Sequence, residues 1–248
     1  MKIGIIGSGY IGGTLTRKLS EAGHDVRIAD ARGQDKIPEG LRSVGATVVD
    51  AKDVFRDVEV AILSIPLNLL PTITEFVATV PAAATLIDTS NYYPARDQQI
   101  EEIEQGKVES VWVRELFGRE VVKTWNAMGS DSLARFGTPT GTEGRLALPV
   151  AGDDADHKQV AVKLLDQIGF DAVDSGSLAD SWRHQPGAPA YCTDLTATEL
   201  QDALSAAEKT RLPARRDLAV AAIMERVGDG TTNPDAAFLV RLNRALYT

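Results

Sequence analysis

The residues best suited to chemistry lie near the start of the chain. "GSGYIG" (7–12) sets Gly7, Gly9 and Gly12 in a G-x-G-x-x-G spacing, directly after the β-branched run "KIGII". The pattern alone is weak, but here it has a strand before it, a helix after it and a second strand ending in an acid, Asp30. The chemistry this supports is anion binding. Gly7 permits a tight turn, Gly9 lets the backbone approach a pyrophosphate, and Gly12 lets helix and strand pack closely. Ser8, Tyr10 and Ile11 complete the cradle, where helix-start amides and the helix dipole face the anion. Asp30 can accept hydrogen bonds from ribose hydroxyls, which favours NAD. Arg32 can bind a 2′-phosphate, which favours NADP.

The other strand ends extend this site. In an open parallel sheet, ligands sit at the carboxyl ends of strands. Those ends read "LSIPLN" (63–68), "DTSN" (88–91) and "KTWNAM" (123–128). Ser64, Ile65 and Pro66 are expected to flank the nucleotide, and Thr89, Ser90 and Asn91 to lie near a nicotinamide. Lys123 and Asn126 are candidate catalytic groups. Their plainer readings are a solvated strand-end charge and a helix cap. "SWRHQPGAPAYC" (181–192) suits a substrate lid and brings His184 and Tyr191 as proton donors beside Lys123; its plainer reading is a surface loop anchored by Trp182. The single cysteine, Cys192, reads as a small buried apolar group.

Elements that hold these residues can be read from periodicity. A helix runs from about Ile11 to Ala22 and stops at Gly23. Strands are expected at "HDVRIAD", "ATVVD" (46–50), "VEVAILSIP" (58–66) and "ATLIDTSN" (84–91), with a helix from Pro71 through about Val80. "REVVKTWNA" (119–127) reads as a sixth strand running into a helix. After a Gly/Thr-rich loop (137–144), "RLALPVAG" and "FDAVDSG" are strands around a helix capped by Asp153 or Asp154, with Val160, Leu164, Leu165 and Ile168 as its apolar stripe. "LTATELQDALSAAEK" and "RRDLAVAAIMERV" read as helices. A last one starts at Asn233 and Pro234 and carries Phe238, Leu239, Leu242 and Leu246 on one face. The class expected is α/β: a Rossmann-type, doubly wound, mainly parallel sheet (1–136), followed by a smaller α/β and helical part (137–248) that supplies a substrate site or a dimer interface.

Composition narrows the classes. The chain has 248 residues, 44% hydrophobic and 25% charged, ordinary for a globular protein. A net charge of −9 argues against nucleic acid or an anionic membrane as partner. No apolar run reaches the about 18 residues of a membrane span, and the first apolar run is too short for a signal peptide. One cysteine and three scattered histidines (His24, His157, His184) predict no disulfide, no metal site and a reducing, cytoplasmic setting.

Taken in order, "GSGYIGG", "VVKTWNAM" and "RLALPVAGDDADHKQVAVKLLDQIGFDAVDSGSLADSW" resemble the deazaflavin (coenzyme F420)-dependent NADP reductases. They are also similar to the cytosolic oxidoreductase domain of the six-transmembrane metalloreductases. The likeness covers roughly residues 1–185. It implies NADP(H) binding, a hydride passing to or from a flavin-like or deazaflavin ring, a nicotinamide stacked near Asn126 and Ala127, and a homodimer. Relatives carry Ser-Arg after the second strand, where this chain has Asp30-Ala31-Arg32, and the stretch from about Trp182 onward extends beyond the compact reductases. Two rivals remain: a reductase or dehydrogenase of a small carbonyl or imine, and a non-catalytic sensor of the NADPH/NADP ratio.

Overall fold

Strand β1 (Lys2–Ile6) is a short run of β-branched residues whose last four are all buried, as befits the centre of a parallel sheet. The computed structural model describes residues 1–228 and 232–248. Among these, β2 (Asp25–Ala29), β3 (Thr47–Val48), β4 (Val60–Leu63), β5 (Thr85–Asp88), β6 (Val122–Lys123), β7 (Ala147–Ala151) and β8 (Asp171–Gly176) join β1 in one sheet, ordered β3-β2-β1-β4-β5-β6-β7-β8. Pairing is parallel from β3 to β6 and again between β7 and β8. It is antiparallel only at β6·β7, where Lys123 faces Ala151. The strand–helix–strand unit after residue 137 therefore extends the first sheet, so the sheet itself crosses the boundary drawn at 136/137.

Helix α1 (Tyr10–Glu21) crosses from β1 to β2 and buries Leu15 and Leu19. Brief turns α2 (Glu39–Arg42), α3 (Thr74–Val77), α4 (Pro94–Asp97) and α5 (Glu101–Glu104) precede α6 (Glu109–Phe117) and α7 (Ser130–Arg135). The helix expected from Pro71 is a 3-10 turn over Leu67–Ile73 followed by α3, since Pro71 lacks the amide an α-helix needs there. The strand at 119–127 is shorter than expected. It ends at Lys123, and the chain turns through Trp125 at φ +59° before α7.

Helix α8 (Ala155–Gln167) is capped by Asp154, whose carboxylate accepts from the His157 amide, and it buries Leu164 and Leu165. Asp153 instead accepts from the Leu178 amide and from Arg114. Helices α9 (Ala197–Ser205), α10 (Leu212–Val227) and α11 (Ala236–Tyr247) follow. The last start is two residues later than Asn233-Pro234: Asp235 is the N-cap and accepts from the Phe238 amide. Its expected apolar face is half-buried, and Ala236, Asn243 and Tyr247 are its buried residues. Two apolar cores lie against the sheet, one built on Ile3, Leu15 and Leu164, the other on Leu63, Phe55 and Val113. A smaller cluster of Tyr191, Leu212, Ala219 and Tyr247 ties α10 and α11 to the site described next. No described helix is long and apolar enough to cross a membrane.

Candidate active site

The strand order reverses beside β1, with β2 and β3 on one side and β4 and β5 on the other, so a crevice opens at the carboxyl ends of β1 and β4. The glycine loop forms one wall. Gly7 has φ +109°, and a Cβ there would run into the Ser64 carbonyl; a Cβ on Gly12 would meet the Gly7 carbonyl. Both positions accept only glycine. Gly9 is the opposite case: nothing lies within 4 Å of where its Cβ would be. It caps α1 with no side-chain hydrogen bond, so the first helical amides stay available to an anion.

Asp30 is 6% exposed and sits behind the loop. It accepts from Ser8 Oγ (2.6 Å), the Arg32 amide (3.0 Å), Arg32 Nε (2.9 Å) and Arg32 Nη2 (3.0 Å). The Arg32 guanidinium, with Ser8, holds its carboxyl far below the usual carboxylate range. The Arg32 side chain is 69% exposed.

A cleft of about 380 Å³ continues from Gly9, Tyr10 and Ile11 past Ser64, Ile65 and Pro66 to Thr89, Ser90, Asn91, Trp125 and Asn126. The structure thus brings together ten of the residues expected from sequence, from Gly9 through Asn126. Gly7 and Gly12 shape the loop from within, and Ser8 and Asp30 brace it. Ala127 does not line the cleft. It is buried, and its carbonyl accepts from the Cys192 amide.

Lys123 and His184 are not where a proton donor would stand. Lys123 is fully buried and pairs with Asp88 Oδ2 at 2.6 Å and with the Ser90 carbonyl. Parallel pairing of β5 and β6 sets Asp88 and Lys123 side by side. His184 is also fully buried. Its Nδ1 lies 3.0 Å from Asn126 Oδ1 and its Nε2 3.2 Å from Ser175 Oγ. Burial, then the Lys123 charge, lowers its pKa to about 3, so the ring is neutral. Neither residue faces the cleft, because both sit beneath its floor. From there Lys123 donates to the Ser90 carbonyl, and the His184 ring pairs with Asn126. Asn126 Nδ2 donates to Asn91 Oδ1 (3.1 Å) and the His184 carbonyl (2.9 Å), while Asn91 Nδ2 donates to the Asn126 carbonyl (3.0 Å).

Two residues that line the cleft each carry a buried polar atom without a partner: Ser90 Oγ and Trp125 Nε1, on residues 5% and 0% exposed. Buried donors and acceptors are nearly always satisfied, so this pair suits the carboxamide of a nicotinamide. Trp125 was not singled out from sequence. Its signals were its place inside "KTWNAM" and, in the fold, a positive φ rare for a bulky residue. Tyr93 and Arg96 also line the cleft and carried no sequence signal. The Tyr93 and Tyr191 hydroxyls are 2.7 Å apart, and burial pushes both well above the usual phenol range, so the pair stays protonated. Among the described residues no group of His, Cys, Asp and Glu could hold a metal.

Comparison with known proteins agrees with this geometry. Residues 2–92 match the family of NADP oxidoreductases, coenzyme F420-dependent. The Escherichia coli (strain K12) protein YjhV is 47% identical over 79 residues, 30% of this chain, and the chain spans 58% of that protein's length. A hypothetical protein, SMa0349 of Sinorhizobium meliloti, superimposes with a TM-score of 0.64 at 28% identity, covering 79% of this chain and 95% of that one. A proposed F420-dependent NADP reductase of Arthrobacter sp. FB24 superimposes with a TM-score of 0.60 at 21% identity, covering 73% and 87%, a likeness of fold.

Proposed function

We propose, from the oxidoreductase family matched over residues 2–92, that the protein moves a hydride between NADP(H) and a second molecule in the same cleft. One observation carries the reading. At the switch point, the open side of Gly9 leads along a cleft of about 380 Å³ to the unpartnered Ser90 Oγ and Trp125 Nε1. In this reading the α1 amides hold the pyrophosphate, Asp30 orients a ribose and the exposed Arg32 takes the 2′-phosphate. Ser64, Ile65 and Pro66 flank the nucleotide. Thr89, Asn91 and Asn126 shape the nicotinamide end, with Asn126 and His184 positioning Asn91. The nicotinamide, when bound, supplies the hydride. The protein aligns and dehydrates the reacting groups.

The family match favours a flavin-like or deazaflavin acceptor, which asks little acid–base help of the protein. The buried Lys123 and His184 fit that economy. A second reading, reduction of a small carbonyl or imine, is favoured by the Tyr93–Tyr191 pair, a protonated donor on the cleft wall. On the same reading the protein works in the cytoplasm as a homodimer, with the exposed Leu218 and Met224 of α10 available to a second copy. Stopped-flow mixing of the enzyme and NADPH with oxidised deazaflavin or flavin tests the proposal. Loss of nicotinamide absorbance at a rate proportional to enzyme supports it; NADPH bound but never oxidised by these or by keto acids and cyclic imines overturns it.

A further inference from the structure

Beyond the nicotinamide end, the cleft opens into a second chamber of about 360 Å³ between α4, α10 and α11. We infer that this chamber binds an anionic substituent of the second substrate, and that Arg96 selects it. The inference rests on the proposed hydride transfer and names the chemistry of its other partner.

Arg96 stands where cleft and chamber meet and lines both. Its Nε and Nη2 are clamped by Asp97, at 2.7 Å each, and Nη2 also donates to the Asn91 carbonyl at 2.7 Å. The Asp97 carboxylate is fully buried, while the Arg96 side chain is 48% exposed. The guanidinium lies over the Tyr93 ring, 5.3 Å from its centroid. A fork held this way, with Nη1 left over, is pre-organised to receive a carboxylate or phosphate.

The rest of the chamber agrees. Arg216 lines it, and its neighbour Arg215 has buried Nε and Nη1 atoms with no hydrogen-bond partner. Both arginines act electrostatically on the Tyr247 hydroxyl. The opposing charges are Asp97, Asp217 and Glu109, and burial pushes the last up to about 7. Two guanidinium groups, Arg96 and Arg216, thus line the chamber, with Asp97 and Asp217 as their ion-pair partners.

Asn243 adds a finer preference. It is 1% exposed and lines the chamber, and its Nδ2 donates to the Tyr191 and Cys192 carbonyls at 3.2 and 3.4 Å. Those bonds fix the amide and leave Oδ1 without a donor. A ligand hydroxyl or amine would satisfy it. The class indicated is an acid that also carries a hydrogen-bond donor.

The anion can belong to a small carboxylate substrate or to the side chain of a flavin-like one. Calorimetric titration of the full chain, with and without NADP, separates these sources using two matched pairs: L-malate against L-malamide, and FMN against riboflavin. The expected result is that at least one anionic member binds tenfold or more tighter than its neutral partner, that added salt weakens it, and that Arg96→Gln removes the preference. L-malate ahead of its amide assigns the carboxylate source, and FMN ahead of riboflavin the phosphate source. Equal binding within both pairs, no binding in either, or a preference that survives Arg96→Gln overturns the inference. If Arg96→Gln fails to fold, the wild-type pairs and their salt dependence decide. Titration with NADPH alone reads the nucleotide proposal separately, since anion preference without NADPH binding would fell that reading and leave this one standing.

Discussion

His184 Nδ1 lies 3.0 Å from Asn126 Oδ1, across 58 residues of chain, and so links a buried imidazole to the floor of the cleft. Because the ring is neutral, Nδ1–H donates to Asn126 and Nε2 accepts from Ser175. Asn126 passes this constraint to the half-buried Asn91. A residue that looks catalytic in sequence is thus buried against Asn126 in the fold.

This arrangement has a pH signature. Burial holds His184 at about 3 in the folded protein, against 6.5 as the ordinary value, and pushes Glu109 from 4.5 up to about 7. Between pH 4.5 and 6.5 the unfolded chain protonates His184 where the folded one does not, so that residue makes stability rise with pH. Glu109 keeps a proton when folded that it loses when unfolded, so it makes stability fall with pH over the same window. The opposed slopes are each at most about 1.4 kcal/mol per pH unit. In denaturant unfolding at several pH values in this window, the His184 and Glu109 slopes are expected to offset each other in the wild type. Relative to wild type, Glu109→Gln is expected to make the slope more positive and His184→Gln more negative. Unchanged slopes in both variants would contradict the assignment.

Lys123 is held as the counter-charge of Asp88, with both side chains fully buried. Lys123→Met strands a buried carboxylate and is expected to cost about 3–5 kcal/mol in urea unfolding. Adding Asp88→Leu should regain part of that loss. A single-variant loss under about 1 kcal/mol would instead mean that Asp88 is not a buried anion.

On the proposed reading, Arg32 sets the choice between the two nicotinamide cofactors. Its exposed guanidinium neutralises Asp30 in the free protein and is free to turn to a 2′-phosphate. Removing a charge-assisted contact costs about 1.5–3 kcal/mol. Arg32→Gln should therefore weaken NADPH about tenfold or more, and leave NADH within about twofold, by fluorescence titration. Equal losses for both would show that Arg32 serves the loop and not the phosphate.

Trp125 Nε1 has no partner within the protein. Trp125→Phe keeps most of the ring's packing and removes the N–H. Chemical denaturation should find stability changed by less than about 1.5 kcal/mol, the usual range for a volume-conserving core exchange. NADPH affinity should drop about fivefold, the worth of one neutral hydrogen bond. Unchanged affinity would remove Trp125 from the nicotinamide site.

Much of the fold was legible because its signals are local. "KIGIIGSGYIGG" carries its strand, turn and helix within a dozen residues, and the chemistry of each glycine follows from the neighbours it meets. That Ser64, Thr89 and Asn126 line one cleft was legible because the strands of a parallel sheet end along one edge. What stayed hidden depends on long-range packing. Whether Lys123 meets water or Asp88 depends on β5 and β6 pairing across 35 residues of chain. The joining of β7 antiparallel to β6, the left-handed turn at Trp125 and the clamp on Arg96 have no periodic trace either.

The proposed function requires that the glycine loop and the cleft beyond it hold a nicotinamide dinucleotide. Isothermal titration of the full chain with NADPH, and in parallel with NADH, tests this most directly. One saturable site per chain for NADPH, tighter than for NADH and abolished by Gly7→Ala in a protein that still folds, is the predicted result. Absence of saturable binding for both dinucleotides would contradict it.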